Sequence, residues 1–184
     1  MGPVSGEDLP REVAVRVTRS ARATFTLGER IGAALEPGDV VALVGELGAG
    51  KTQLVRGICR GAGVPDEVVA SPSFAIIAAY RGRIPVHHAD LYRLCDEDEL
   101  TATGFFDLLG AEGAVLVEWA DRIPGALPRE RLEITLEHVP DAPSARRLRA
   151  VGTGARPAEL ARLLGSRSRS RSPAAGAAST RRVK

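Results

Sequence analysis

Cysteine is nearly absent: Cys59 and Cys95 are the two in 184 residues, without partner spacing, which excludes a disulfide framework and a cysteine-built metal site. Both are expected to be reduced bystanders. No apolar run approaches the ~18 residues that a membrane span requires, and Met1 to Val17 carries acids where a secretory leader would carry an apolar core. A cytoplasmic protein without membrane contact is expected. Lysine is scarcer still in proportion, for among 25 lysines and arginines only Lys51 and the final residue, Lys184, are lysines. Excess positive charge is also missing from most of the chain. The formal net charge is +2, and taking away the six cations of residues 165–184, which hold no acid, leaves −4 on residues 1–164. A globally basic nucleic-acid surface is therefore excluded for the body of the protein.

What is present is a stretch around which the rest is organised. Gly45-Glu46-Leu47-Gly48-Ala49-Gly50-Lys51-Thr52 fits the G-x-x-x-x-G-K-[ST] phosphate loop and lies between an apolar strand and a helix, as that loop must. This composition yields roughly two chance matches per thousand sequences. Glycines at 45, 48 and 50 allow backbone angles closed to other residues, so that successive N–H groups can turn onto phosphate oxygens. Lys51 would meet the β- and γ-phosphates as a compact point charge, and the Thr52 hydroxyl would ligate Mg²⁺. The scarcity of lysine elsewhere fits this reading, since a guanidinium is too bulky for that place.

Taken in order, Glu12 to Arg19 alternates Val13, Val15 and Val17 with polar residues, which predicts a half-buried strand at a sheet edge. Thr26-Leu27-Gly28-Glu29 matches a capping box and predicts a helix through Leu35, stopped by Pro37-Gly38. Asp39 to Val44 reads as a fully buried strand, and Lys51 to Gly61 as a helix whose positive end faces the phosphates. A loop follows, then Ser71-Pro72-Ser73, a strand from Phe74 to Tyr80, a turn at Arg81-Gly82-Arg83 and a returning strand, Ile84 to Ala89. Asp96 to Thr103 is helix-like, with a second short helix after Gly104. Ala114 to Val117 is another buried strand. Asp90 and Glu118 stand at two strand ends and compete for the acidic role beside Mg²⁺ or the attacking water; spacing does not choose between them. Arg131 to Val139 and Arg146 to Thr153 form a hairpin, and Pro157 to Leu164 a last helix with Pro157 at its first position. Residues 165–184, Ser/Arg-rich and then Ala/Gly-rich, read as a disordered tail. His87, His88 and His138 show no metal spacing and are assigned no chemistry. The whole predicts a single three-layer α/β phosphate-loop NTPase domain over 1–164, with a largely parallel central sheet and antiparallel hairpins.

With these motifs in view, the chain resembles the TsaE family, small ATPases of bacterial tRNA threonylcarbamoyladenosine biosynthesis. The likeness covers most of residues 20–150. It rests on the phosphate loop, Ser71-Pro72-Ser73-Phe74, His88-Ala89-Asp90-Leu91-Tyr92-Arg93-Leu94 and Val117-Glu118-Trp119-Ala120-Asp121-Arg122, in that order. The resemblance implies Mg²⁺-dependent ATP hydrolysis stimulated by the partner proteins TsaB and TsaD, with tRNA met only indirectly. It also implies nucleotide contacts from Glu46 through Thr52, Mg²⁺ ligation by Thr52, Asp90 and Glu118, and water polarisation by Glu118. Ser71 to Phe74 and Glu118-Trp119 would be nucleotide-sensing switches, and Thr24, matched to a threonine before the first helix, would touch the adenine. Ser73 stands for the usual threonine and Asp121 for a common glutamate. Two other classes remain open at this point: a small-molecule kinase using the same loop, and a nucleotide-binding adaptor whose arginine tail meets RNA.

Overall fold

The computed structural model describes residues 11–65, 69–70, 72, 75–110 and 112–166. Seven strands form one sheet in the order β1-β7-β6-β2-β5-β4-β3. Its centre is parallel: β2 (Val40–Val44) lies between β5 (Ala114–Glu118) and β6 (Arg131–Val139), and β4 (Pro85–Asp90) lies beside β5. Antiparallel pairs close both sides, β3 (Ile77–Arg81) on β4, and β7 (Ala142–Thr153) between β6 and β1 (Arg11–Thr18). This is the largely parallel α/β arrangement with flanking hairpins that the pattern of elements predicts.

Two apolar clusters, one on each face, make the layers. On the first face α1 (Ala21–Ala34), α2 (Lys51–Gly61) and α4 (Ala155–Gly165) pack Ile31, Leu54, Ile58 and Leu160 against Val41, Leu43, Leu116, Ile134 and Leu148. The second face gathers Val40, Ala42, Ala89, Val115 and Val117 under Leu100 and Phe105, from α3 (Glu97–Ala102) and the single turn after it. No residue of β1, β6 or β7 belongs to that second cluster. Continuous apolar runs in β2 and β5 follow from burial on both sides.

Helices α1 and α2 touch backbone to backbone. A Cβ added to Gly28 would lie 2.5 Å from the Leu54 carbonyl oxygen, and one on Gly32 would lie 1.8 Å from that of Ile58. From the other helix, a Cβ on Gly57 would meet the Phe25 oxygen at 2.1 Å, and one on Gly61 the Glu29 oxygen at 2.0 Å. The end of α1 is closed by Arg83, whose guanidinium donates to the Gly32, Ala33 and Leu35 carbonyls.

Several expectations are corrected. Helix α1 starts at Ala21, not after Thr26: Ser20 is the cap, its hydroxyl accepting from the Ala23 N–H at 3.1 Å. Thr26 lies mid-helix, where its hydroxyl has no free N–H to cap. Helix α4 begins two residues before Pro157, with Gly154 as cap, so Pro157 takes the third position, where an N–H is still dispensable. The helix also runs through Gly165, and Arg30 ties Ser166 and Leu163 down through their carbonyls. The predicted tail otherwise falls on residues 167–184, outside the described residues. Strand β3 begins at Ile77 rather than at residue 74. Strand β1 does edge the sheet, yet Val13, Val15 and Val17 face water, at 47%, 56% and 45% exposure, because α4 packs on the opposite face. Both cysteines are free, and burial pushes the Cys59 thiol up to about 12. Among the described residues no helix is long and apolar enough to cross a membrane.

Candidate nucleotide site

The buried strand β2 delivers the chain into a loop that only glycine can shape. Gly45, Gly48 and Gly50 hold φ of +149°, +77° and +101°. Gly50 caps α2 without a side-chain bond, so the first N–H groups of the helix stay turned toward the loop, an anion-binding geometry. Leu47 stands at the tip, 79% exposed, while Ala49 is fully buried beneath it.

Lys51 is 4% exposed and its ammonium is enclosed on three sides. It donates to the carbonyls of Gly45 at 2.6 Å and Glu46 at 3.0 Å, and lies 3.5 Å from the centre of the Trp119 ring. Burial lowers its pKa, against the opposing pull of Glu118, Asp121 and Asp90. Trp119 reaches the lysine because its backbone turns left-handed, at φ +58°, immediately after β5. Such an angle in a bulky residue is strain held at a site. Tyr92 also packs on the indole, with ring centres 4.8 Å apart and the ring planes tilted by 45°.

The two competing acids are cross-strand neighbours. Asp90 and Glu118 are register partners at the ends of β4 and β5, and both are buried. Asp90 accepts from the Tyr92 N–H at 3.1 Å. Glu118 is gripped at both oxygens: the Thr52 hydroxyl donates to Oε2 at 3.0 Å, and His88 Nε2 lies 3.0 Å from Oε1. A recess of about 480 Å³ is lined by Gly50, Lys51, Thr52, Asp90, Glu118 and Trp119. A hydroxyl beside two carboxylates is the hard-oxygen donor set that suits Mg²⁺. Among the described residues no group of three or more His, Cys, Asp or Glu could hold a metal by itself, so phosphate and water oxygens would have to complete its shell.

The structure thus brings Lys51, Thr52, Asp90 and Glu118 together, with the loop from Glu46 to Gly50 around them. Thr24 stands apart. It lies inside α1 rather than before it, its hydroxyl 2.7 Å from that of Thr18, and lines a smaller recess of about 160 Å³ with Gln53, Ser144 and Arg146. Ser71, Ser73 and Phe74 fall outside the described residues. Two side chains at the site were given no role by the sequence reading, which named His88 in a motif and assigned it no chemistry. Arg146, from β7, donates to the Ala49 and Gly48 carbonyls, both at 3.0 Å, and so pins the outer side of the phosphate loop. His88, fully buried, bonds Glu118. Period-two alternation on β4 puts His88 on the same face as Asp90, a signal that was available; nothing local marks Arg146.

The chain is similar to known proteins of one family. The sequence profile of the family described as "Threonylcarbamoyl adenosine biosynthesis protein TsaE" matches residues 18–148. A protein of Treponema pallidum (strain Nichols) with the name tRNA threonylcarbamoyladenosine biosynthesis protein TsaE is 37% identical over 125 residues, 68% of this chain and 92% of that one. The Bacillus subtilis (strain 168) protein of the same name is 39% identical over 125 residues, covering 67% and 77%. Among solved structures, that of Bacillus subtilis YdiB superposes with a TM-score of 0.71 at 31% identity, over 84% of this chain and 95% of its own.

Proposed function

The chain belongs to the TsaE family, and from that premise we propose that it binds and hydrolyses ATP with Mg²⁺ in support of tRNA threonylcarbamoyladenosine biosynthesis. The observation that carries this reading is the Glu118 carboxylate bonded to the Thr52 hydroxyl, with Asp90 alongside, at the foot of the phosphate loop. The loop N–H groups and the start of α2 would hold the phosphates, and Lys51 would exchange its carbonyl partners for β- and γ-phosphate oxygens. Thr52, Asp90 and Glu118 would hold Mg²⁺, which when bound neutralises charge developing on the phosphate oxygens. Glu118, already fixed at both oxygens, would orient the attacking water. Thr24 and its recess beside Gly50 would receive the base.

TsaB and TsaD are the proposed partners, stimulating turnover, with the protein working in the cytoplasm and meeting tRNA through them. The test is Mg²⁺-ATP turnover of the purified chain alone and with a TsaB–TsaD pair, with Lys51→Ala as the blank. Stimulation by the pair is the expected result. Stoichiometric ATP use that depends on a small acceptor would replace the reading with a kinase.

A further inference from the structure

His88 is a fully buried polar side chain that the nucleotide chemistry above does not use. It lies on β4, two residues before Asp90, and in register with Leu116, two residues before Glu118. On a shared sheet face that makes His88 the diagonal neighbour of Glu118, within reach of a long side chain. The contact is 3.0 Å, from Nε2 to Oε1, with side-chain exposures of 0% and 3%. A carboxylate only accepts, so Nε2 carries the hydrogen and donates. The other ring nitrogen, Nδ1, is buried with no hydrogen-bond partner among the described residues. Among the described residues Glu118 is therefore the one polar partner of the ring.

The carboxylate has two ends and two holders. Thr52 takes Oε2 at the start of α2, and His88 takes Oε1 from inside the sheet. Thr52 cannot orient the group by itself, because one hydrogen bond leaves the carboxylate free to turn about its terminal torsion. The Lys51 ammonium and the Asp90 carboxylate are both close enough to pull or push on it. Resting on the ATPase reading, we propose that His88 is a positioning residue. Its Nε2–H locks the Glu118 carboxylate in the one orientation that keeps Oε2 on Thr52, and so sets the place of the metal and of the attacking water. His88 does not line the nucleotide recess. It acts as the supporting hydrogen bonds behind metal and catalytic carboxylates act, through the residue it holds.

The experiment compares wild type, His88→Gln, His88→Leu and Glu118→Gln as full chains with the stimulating partners. Glutamine keeps a donor N–H near the position of Nε2; leucine fills the space without one. His88→Leu is expected to lower kcat by about 10- to 100-fold with KM for ATP within about threefold, and His88→Gln to recover most of that loss. A second readout needs no turnover. Trp119 is the chain's only tryptophan and adjoins Glu118, so its fluorescence follows Mg²⁺ titrated into protein loaded with a non-hydrolysable ATP analogue. The midpoint should move to higher Mg²⁺ in His88→Leu and return in His88→Gln, with nucleotide affinity measured without Mg²⁺ unchanged. Equal losses in the leucine and glutamine variants, or a KM rise in place of a kcat fall, would overturn the proposal. Should His88→Leu fail to fold, as thermal melting would report, His88→Asn, whose donor falls short of Glu118, takes its place with the same expectations. The ATPase reading fails separately, if Glu118→Gln turns over ATP like wild type; a dead Glu118→Gln with a fully active His88→Leu removes His88 alone.

Discussion

From β2 through β5 to β4 the sheet is packed on both faces, whereas from β6 through β7 to β1 one face meets helices and the other meets water. Every residue of β5 is buried, and the valines of β1 are about half exposed. The candidate nucleotide site belongs to the first region, and the difference explains why. A strand end closed on both faces can hold a carboxylate such as Glu118 at 2% exposure, where each hydrogen bond fixes it and little water competes. The antiparallel region tolerates exposure because alternation needs only one buried face. It meets the site through the Arg146 guanidinium on the Gly48 and Ala49 carbonyls, through Ser144 beside Thr24, and through β6, whose Leu136 carbonyl would lie 2.5 Å from a Cβ on Gly45.

That division predicts a falling series of effects as substitutions move from the closed region to the open one. Lys51→Ala, which removes the buried ammonium, should weaken Mg²⁺-ATP binding on the order of 10²-fold and leave no measurable turnover, read by calorimetry and phosphate release. Retained tight binding would remove Lys51 from its role. Glu118→Gln should leave binding near wild type and depress turnover by roughly 10²-fold; if Asp90→Asn does this instead, the roles of the two acids are exchanged. Arg146→Ala probes the hydrogen-bonded crossing from β7 to the phosphate loop. Freeing two loop carbonyls should cost about tenfold in nucleotide affinity, since each lost hydrogen bond from a charged donor is worth about 1.5 kcal/mol or less at a half-open site. An effect as large as that of Lys51→Ala would dissolve the distinction. At the far edge, Val15→Thr should change stability by less than about 0.5 kcal/mol in denaturant unfolding and leave turnover untouched.

The closed region was also the more legible in sequence. Strands β2 and β5 are continuous apolar runs and the loop between β2 and α2 is a motif, so both those elements and the cluster of Lys51, Thr52, Asp90 and Glu118 could be read without knowing the tertiary structure. Strand β1 was legible in period but not in facing, because alternation states that two faces differ and not which one α4 will cover. The start of α1 misled for a different reason. Thr26 and Glu29 offer both halves of a capping box, while Ser20 has only alanine at the matching position, yet burial of Thr24 and Phe25 draws the helix back to Ser20. Arg146 could not be found at all, since its partners are carbonyls about a hundred residues away that no side-chain pattern encodes.

The four glycines between α1 and α2 carry a consequence for how this protein can vary. Gly28, Gly32, Gly57 and Gly61 do not line the nucleotide recess, yet each leaves less than the van der Waals space of a methyl group before a carbonyl oxygen of the facing helix. The helix that begins at Lys51 is seated by that contact, so a wider spacing would shift the lysine and threonine at its head. In a survey of every single substitution, these positions, about 9 to 15 Å along the helix from Lys51 at 1.5 Å rise per residue in the case of Gly57 and Gly61, should accept as few replacements as Lys51 itself. A map of tolerated change would then show the site extended backward along a seam of glycines, and would mistake architecture for catalysis unless folding and turnover were scored apart.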